Sequence, residues 1–86
     1  MAVDTDCNEG GLYMKKKKTP EDCGQACFGF STVITYAKTK GRCVPSGCDC
    51  FCTYAQVEGK DWCQQVGNVN YDVYILNGEL SKTLKL

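Results

Sequence analysis

Histidine is absent from the 86 residues. With it go the usual general base for Ser, Cys or zinc-water chemistry and the nitrogen ligand that many zinc sites recruit. An excess of either charge is also absent: ten acids meet ten bases, so no long-range field draws the chain toward phosphate backbones or anionic lipid. Nucleic acid is therefore not an expected partner. Long apolar runs are missing, and pieces such as Val33-Ile34 and Tyr74-Ile75-Leu76 fall far short of the roughly 18 residues of a membrane span. Asn-x-Ser/Thr does not occur, so no N-glycan is expected. Met1 to Asp6 carry neither the basic start nor the apolar run of a signal peptide and read as the start of a mature chain. There is no repeat, no linker, and no biased tract beyond Lys15-Lys16-Lys17-Lys18.

What is present in quantity is cysteine, at 8 of 86 positions, an even count and a density that marks disulfide scaffolds. A chain of this size buries only about 60 to 65 per cent of the surface its unfolded form exposes, so an apolar core alone leaves it marginal. Crosslinks supply the missing constraint. Persistent disulfides need an oxidising compartment, so a secreted, extracellular protein is expected. The competing use of cysteine, zinc, generally takes Cys pairs two residues apart, often with His. Here the spacings are Cys23-x3-Cys27 and Cys48-x-Cys50-x-Cys52, and no metal or other cofactor is expected. Cysteines held in disulfides are not nucleophiles, and none of the ten carboxylates sits in a motif, so the chain does not read as an enzyme.

Thr19-Pro20-Glu21-Asp22 marks a helix start, with Thr as N-cap, Pro where its missing N–H costs nothing, and acids complementing the dipole. A helix is expected from Pro20 to Phe28, ended by Gly29, with Phe30 beyond it as a core anchor. Cys23 and Cys27 stand four apart, so both sulfurs leave one helix face. Ser31 to Ala37, rich in β-branched and aromatic residues, reads as a strand; Lys38 to Gly41 as a turn; Arg42-Cys43-Val44 as the start of its antiparallel partner. After the turn Pro45-Ser46-Gly47, Cys48, Cys50, Cys52 and Tyr54 alternate with Asp49, Phe51 and Thr53, which lines three sulfurs along one strand face. Strand neighbours two apart lie about 6.5 to 7 Å apart and helix neighbours four apart about 6 Å, so two helix cysteines can bridge two strand cysteines. Cys23 and Cys27 are expected to tie the helix to the sheet through two of Cys43, Cys48, Cys50 and Cys52, with Cys7 and Cys63 closing the unit. Asn70 to Leu76 alternates again, and Asn77-Gly78 signals a C-terminal hairpin over residues 70–86.

In order, Cys7-Asn-Glu-Gly-Gly11, Thr19-Pro20 leading into Cys23-Gly-Gln-Ala-Cys27, the strand end Thr35-Tyr36-Ala37, Cys43-Val44 and the closing Tyr71-Asp72-Val73-Tyr74-Ile75-Leu76 resemble the PAN/apple module over roughly residues 7–76. The chain departs from that pattern in lacking a Cys just after the helix and in having the Cys48-x-Cys50-x-Cys52 triplet. Length and cysteine content leave room for a single disulfide-rich domain over residues 1–86, and the resemblance implies an α+β fold for it. One helix would pack on a curved antiparallel sheet of about five strands, in a non-enzymatic module that binds an extracellular protein or glycan. The CxxxC helix beside a CxC strand also resembles the defensin-like scaffold of antimicrobial peptides and scorpion toxins, which implies action on a channel or membrane. The disulfide map separates the two: both helix cysteines bridged to a Cys-x-Cys pair favours the defensin-like arrangement, and one of them bridged to Cys43 favours the PAN type.

Three surface features are candidates for binding. Lys15, Lys16, Lys17 and Lys18 concentrate charge before the helix and form either a heparin or acidic-partner patch or a solvated loop between strand and helix, the commoner fate of short charge runs. Tyr54 and Trp62, with Phe51, offer aromatic faces to a sugar; Phe51 is the one expected in the core, and Trp62, set among Gly59, Lys60 and Asp61, the better exposed. Tyr71 and Tyr74 with the following hairpin either complete the sheet, the preferred reading, or pair with a second copy, so a monomer or weak dimer is expected. Thiol titration of the native protein should find none of the eight cysteines free; free thiols at most of them would remove both the crosslinked frame and the extracellular assignment.

Overall fold

The computed structural model describes residues 2–54, 63–76 and 84–85. Its elements are β1 (Thr5–Cys7), β2 (Gly11–Lys17), α1 (Pro20–Ala26), β3 (Val33–Ala37), β4 (Cys43–Val44), β5 (Gly47–Thr53), β6 (Gln65–Gly67), β7 (Tyr71–Leu76) and β8 (Leu84–Lys85). The expected class holds: a small disulfide-rich α+β domain, one helix on a mainly antiparallel sheet. The main sheet runs β2-β5-β3-β7-β8, and β4 pairs with the start of β5. A separate two-stranded ribbon joins β1 to β6.

The helix begins as the sequence requires. Thr19 is extended and its hydroxyl accepts the Asp22 N–H at 3.0 Å, Pro20 opens the first turn, and Glu21 and Asp22 stand at the positive end of the dipole. It ends at Ala26, two residues earlier than expected, because the chain tightens there. The Phe28 N–H returns to Gln25, those of Phe30 and Ser31 to Cys27, and Gly29 takes φ +88°. Seven residues are too few for a helix to persist in water by itself. Two disulfides hold it: Cys23 to Cys50 and Cys27 to Cys52, with Cα atoms 5.5 and 5.4 Å apart. The other two join Cys7 to Cys63 and Cys43 to Cys48, and no cysteine is free.

Strand β3 is buried along its whole length, which its Val-Ile-Thr-Tyr-Ala composition suits, and it lies between β5 and β7. Pleating sorts its neighbours. Ile34 opposite Cys52 and Tyr36 opposite Cys50 join Cys23 and Cys27 in a core under the helix, with Met14, Cys48 and Tyr74 at its margin. On the reverse face Val33 and Val73 pack with Cys7 and Cys63 beneath the β1–β6 ribbon. The ribbon thus covers one end of that face. The N-terminal segment reaches the ribbon by way of β7, since Ala2 exchanges both backbone hydrogen bonds with Val73 at 2.8 Å. Lys38 then clamps it by pairing with Asp4 and Asp72. Buried polar groups are answered internally: the hydroxyls of Ser31 and Thr53 both donate to the Val33 carbonyl, at 3.0 and 2.8 Å.

Three expectations are corrected. The partners of the strand after the helix are β5 and β7, not Cys43-Val44; a 3-10 turn at Lys40–Arg42 carries the chain past β3, so β4 meets β5 instead. Phe30 is not a core anchor: it is 36 per cent exposed and rests edge-on against Tyr54, with ring centroids 5.9 Å apart. Lys15, Lys16 and Lys17 lie in β2 rather than in a strand-to-helix loop. The expected C-terminal hairpin has its strands, with Ile75 opposite Lys85 and Leu76 opposite Leu84; Asn77-Gly78 lies outside the described residues.

In the loop-entropy model the free energy a crosslink contributes grows with the chain length it closes. Cys7 and Cys63 are 56 residues apart and Cys43 and Cys48 only 5. Replacing the first pair by Ala should lower the unfolding free energy by about 4 kcal/mol and the second by about 2 kcal/mol. Denaturant unfolding of the two variants checks this; the reverse order would refute it.

Candidate functional site

The sulfur-rich face of the sheet is structural. Sγ atoms of Cys23, Cys27 and Cys50 lie within 4.8 Å of one another, a spacing that thiolates would need to share a metal, but each is bonded in a disulfide. A disulfide sulfur has no thiolate charge to give to a metal or a carbon centre.

The reverse face, beyond the ribbon, collects chemically distinct groups. Because Cys50 and Cys52 point toward the helix, Asp49 and Phe51 must point away from it. Opposite them β2 bulges: Tyr13 pairs with Phe51 and Lys16 with Asp49, so Met14 and Lys15 together face Cys50. Lys15 accordingly sits at φ +69°, in the left-handed region. The extra residue places Tyr13 and Lys16, three apart in sequence, on one face. Tyr13, Phe51 and Tyr71 then form a row across β2, β5 and β7, with ring centroids 5.1 and 5.9 Å apart, and the Arg42 guanidinium lies 5.5 Å from the Tyr71 centroid.

Charge is distributed around this row. Lys16 pairs with Asp49 at 2.9 Å and donates to the Arg42 carbonyl at 2.8 Å; the Tyr13 hydroxyl donates to Asp49 at 3.0 Å. Burial pushes the Asp49 carboxyl up, but the hydrogen bonds from Lys16 and Tyr13 and the charges of Lys16 and Arg42 together outweigh it and hold it below its ordinary value. The same hydrogen bond to Asp49 raises the Tyr13 phenol. Burial raises Tyr71, with Asp49 and Asp6 adding to the effect and Arg42 opposing it. Beside the row is a cavity of about 120 Å3 lined by Asp6, Gly10, Gly11, Thr35, Phe51 and Tyr71. Gly11 is there because of close approach: a Cβ would stand 2.8 Å from the Cys52 carbonyl oxygen and 3.3 Å from the Phe51 Cβ.

The structure does not gather the candidates read from sequence into one place. The four lysines are divided: Lys16 is engaged by Asp49 on the aromatic face, Lys15 occupies the bulge, and the Lys17 carbonyl accepts the Tyr36 hydroxyl at 2.6 Å. They lie on or beside β2, an edge strand of the sheet among the described residues, where lysines and a bulge both discourage pairing with another chain. Tyr54 packs on Phe30, away from the aromatic row; Trp62 lies outside the described residues. Phe51 is half-buried at the centre of the row. Strand β7 is flanked by β3 and β8, so Tyr71 and Tyr74 offer no open edge. No local signal marks Tyr13 or Asp6, since their nearness to Phe51 depends on chain pairing across more than 36 residues, and Arg42 meets Tyr71 only through the fold; only the alternation of Asp49 and Phe51 against the cysteines is visible locally.

Comparison with known proteins decides nothing further: no family model, curated protein or solved structure matches the chain. The site has to be judged by its own chemistry. An exposed ring, Tyr13, and a half-buried one, Phe51, backed by the buried Tyr71, with a guanidinium and two carboxylates on a crosslinked sheet, are equipped to stack on, ion-pair with and hydrogen-bond to a ligand.

The lowered Asp49 pKa fixes a sign. A carboxyl held below its unfolded value, about 3.9, contributes stability that is present above that value and lost as pH falls through the folded one. Stability measured by urea unfolding should therefore fall less steeply between about pH 4 and 2 in Asp49→Asn than in the native chain. Parallel curves would show that the Lys16 and Tyr13 contacts contribute nothing.

Proposed function

We propose that this protein is a secreted, non-enzymatic recognition module that binds an extracellular protein or glycan across the open face of its sheet, as a monomer or weak dimer; the crosslink that would favour the PAN/apple type, a helix cysteine to Cys43, is not formed, since Cys43 bonds to Cys48. The observation that supports this reading is the row Tyr13–Phe51–Tyr71 with Arg42 and Asp49 beside it, exposed at Tyr13, half-buried at Phe51 and buried at Tyr71, next to a cavity. Aromatic and Arg side chains are the residues recognition surfaces favour, because they bring large contact area with few rotamers to freeze. Four disulfides in a domain this small are typical of extracellular proteins. They also keep the face preorganised, which lowers the entropy cost of binding.

A second reading has its own support. Both helix cysteines are bridged to the Cys50-x-Cys52 pair, the arrangement that favours a defensin-like toxin or antimicrobial peptide. The zero net charge weighs against attack on anionic membranes and leaves a channel as its target.

The two separate by experiment. Screened against glycan and extracellular-protein arrays, the native chain should yield a ligand whose affinity falls at least tenfold in Tyr13→Ala and is unchanged in Phe28→Ala, an exposed residue just beyond the helix. Equal binding by Tyr13→Ala would remove the open face as the site. Leakage of anionic vesicles, or channel block by the native chain, would favour the second reading instead.

A further inference from the structure

We propose that the cavity beside the aromatic row is a subsite for the side-chain ammonium of a lysine presented by a partner protein. The inference rests on the open-face reading and narrows it to one class of contact. Its lining combines a carboxylate, Asp6, with two aromatic rings, Phe51 and Tyr71, a buried hydroxyl, Thr35, and the backbone of Gly10 and Gly11. A carboxylate beside aromatic faces attracts a cation by both charge and ring quadrupole, and more strongly where water is partly excluded. Tyr71 already receives one cation in this way, the Arg42 guanidinium, which stands outside the cavity lining.

Charge complementarity selects the occupant. The ion-paired carboxylates among the described residues, Asp4, Asp72 and Asp49, are held by Lys38 and Lys16, whereas Asp6 makes no ion pair there. Asp6 Oδ1 accepts the Cys7 N–H at 2.7 Å, and Oδ2 makes no hydrogen bond among the described residues. A single oxygen without a partner among the described residues suits the point charge of an ammonium, while an arginine fork needs two acceptor oxygens to bond bidentately. Size agrees: at about 120 Å3 the cavity can admit an ammonium and part of its alkyl stem, and it falls below the roughly 300 to 1,000 Å3 of pockets that enclose a drug-sized ligand. The glycines matter because a side chain at Gly11 would displace Phe51 or the Cys52 carbonyl, and Gly10 sits at φ +77°.

Titration of the native, isotope-labelled chain with Nα-acetyl-lysine amide, followed by two-dimensional NMR, tests this. Resonances of Asp6, Gly10, Gly11, Phe51 and Tyr71 should shift together with a millimolar dissociation constant. Asp6→Asn should weaken that binding at least tenfold while keeping the dispersed spectrum of the folded chain. Asp6→Glu, which restores the charge, should recover part of it. Equal shifts with Nα-acetyl-norleucine amide would show simple apolar contact and overturn the proposal. Equal or tighter binding of Nα-acetyl-arginine amide, or of Nε-acetyl-lysine amide with its free α-amine, would overturn the choice of a lysine side chain. Absence of any shift at the cavity would also overturn it. If an array ligand still perturbs Tyr13 and Asp49 in that case, the open face stands as the binding surface without this subsite.

Discussion

The two parallel crosslinks from α1 to β5 constrain everything else in the molecule. Cys23 and Cys27 are one helical turn apart and Cys50 and Cys52 one pleat repeat apart, so the two bonds form together only in one orientation of helix on sheet. A seven-residue helix that could not persist alone is thereby fixed over Ile34 and Tyr36. The pleat then carries the constraint through to the far side. With its cysteines committed to the helix, β5 has to direct Asp49 and Phe51 the other way, and the aromatic face is a geometric consequence of the core.

A second layer of constraint shapes that face. The Cys7–Cys63 bond holds the β1–β6 ribbon over Val33 and Val73, which closes one end of the sheet and gives the cavity a wall at Asp6 and Gly10. The bulge at Lys15 does comparable work at the opposite edge by bringing Tyr13 and Lys16 onto the side of Phe51 and Asp49. The ribbon also buries a small apolar cluster of Cys7, Val33, Cys63 and Val73. Both devices remove alternatives, so that the aromatic and charged groups of this face are held in position. The lysine run fits the same logic, since on an edge strand its charges oppose pairing with another copy.

The residues that local chemistry governs were readable directly. Thr19-Pro20 specifies a helix start in any context, the Cys48-x-Cys50-x-Cys52 alternation specifies a strand with sulfurs on one side, and cysteine density specifies crosslinking in a chain too small for its core. The α+β class and the tie between helix and sheet followed from these. Phe30 misled because apolar character signals burial only when the chain returns over it, and the tightened end of α1 turns it toward Tyr54 at the surface.

What the amino-acid order determined by itself was therefore the set of local elements and the need for disulfides, both functions of neighbours within a few positions. Tertiary structure alone decided which cysteine bonds to which, the passing of β4 from β3 to β5, and the meeting of Tyr13, Phe51, Tyr71 and Asp6 around one cavity. Those outcomes depend on strand register across tens of residues. A shift of one position would send every side chain of a strand to the opposite face, and no local preference encodes that choice.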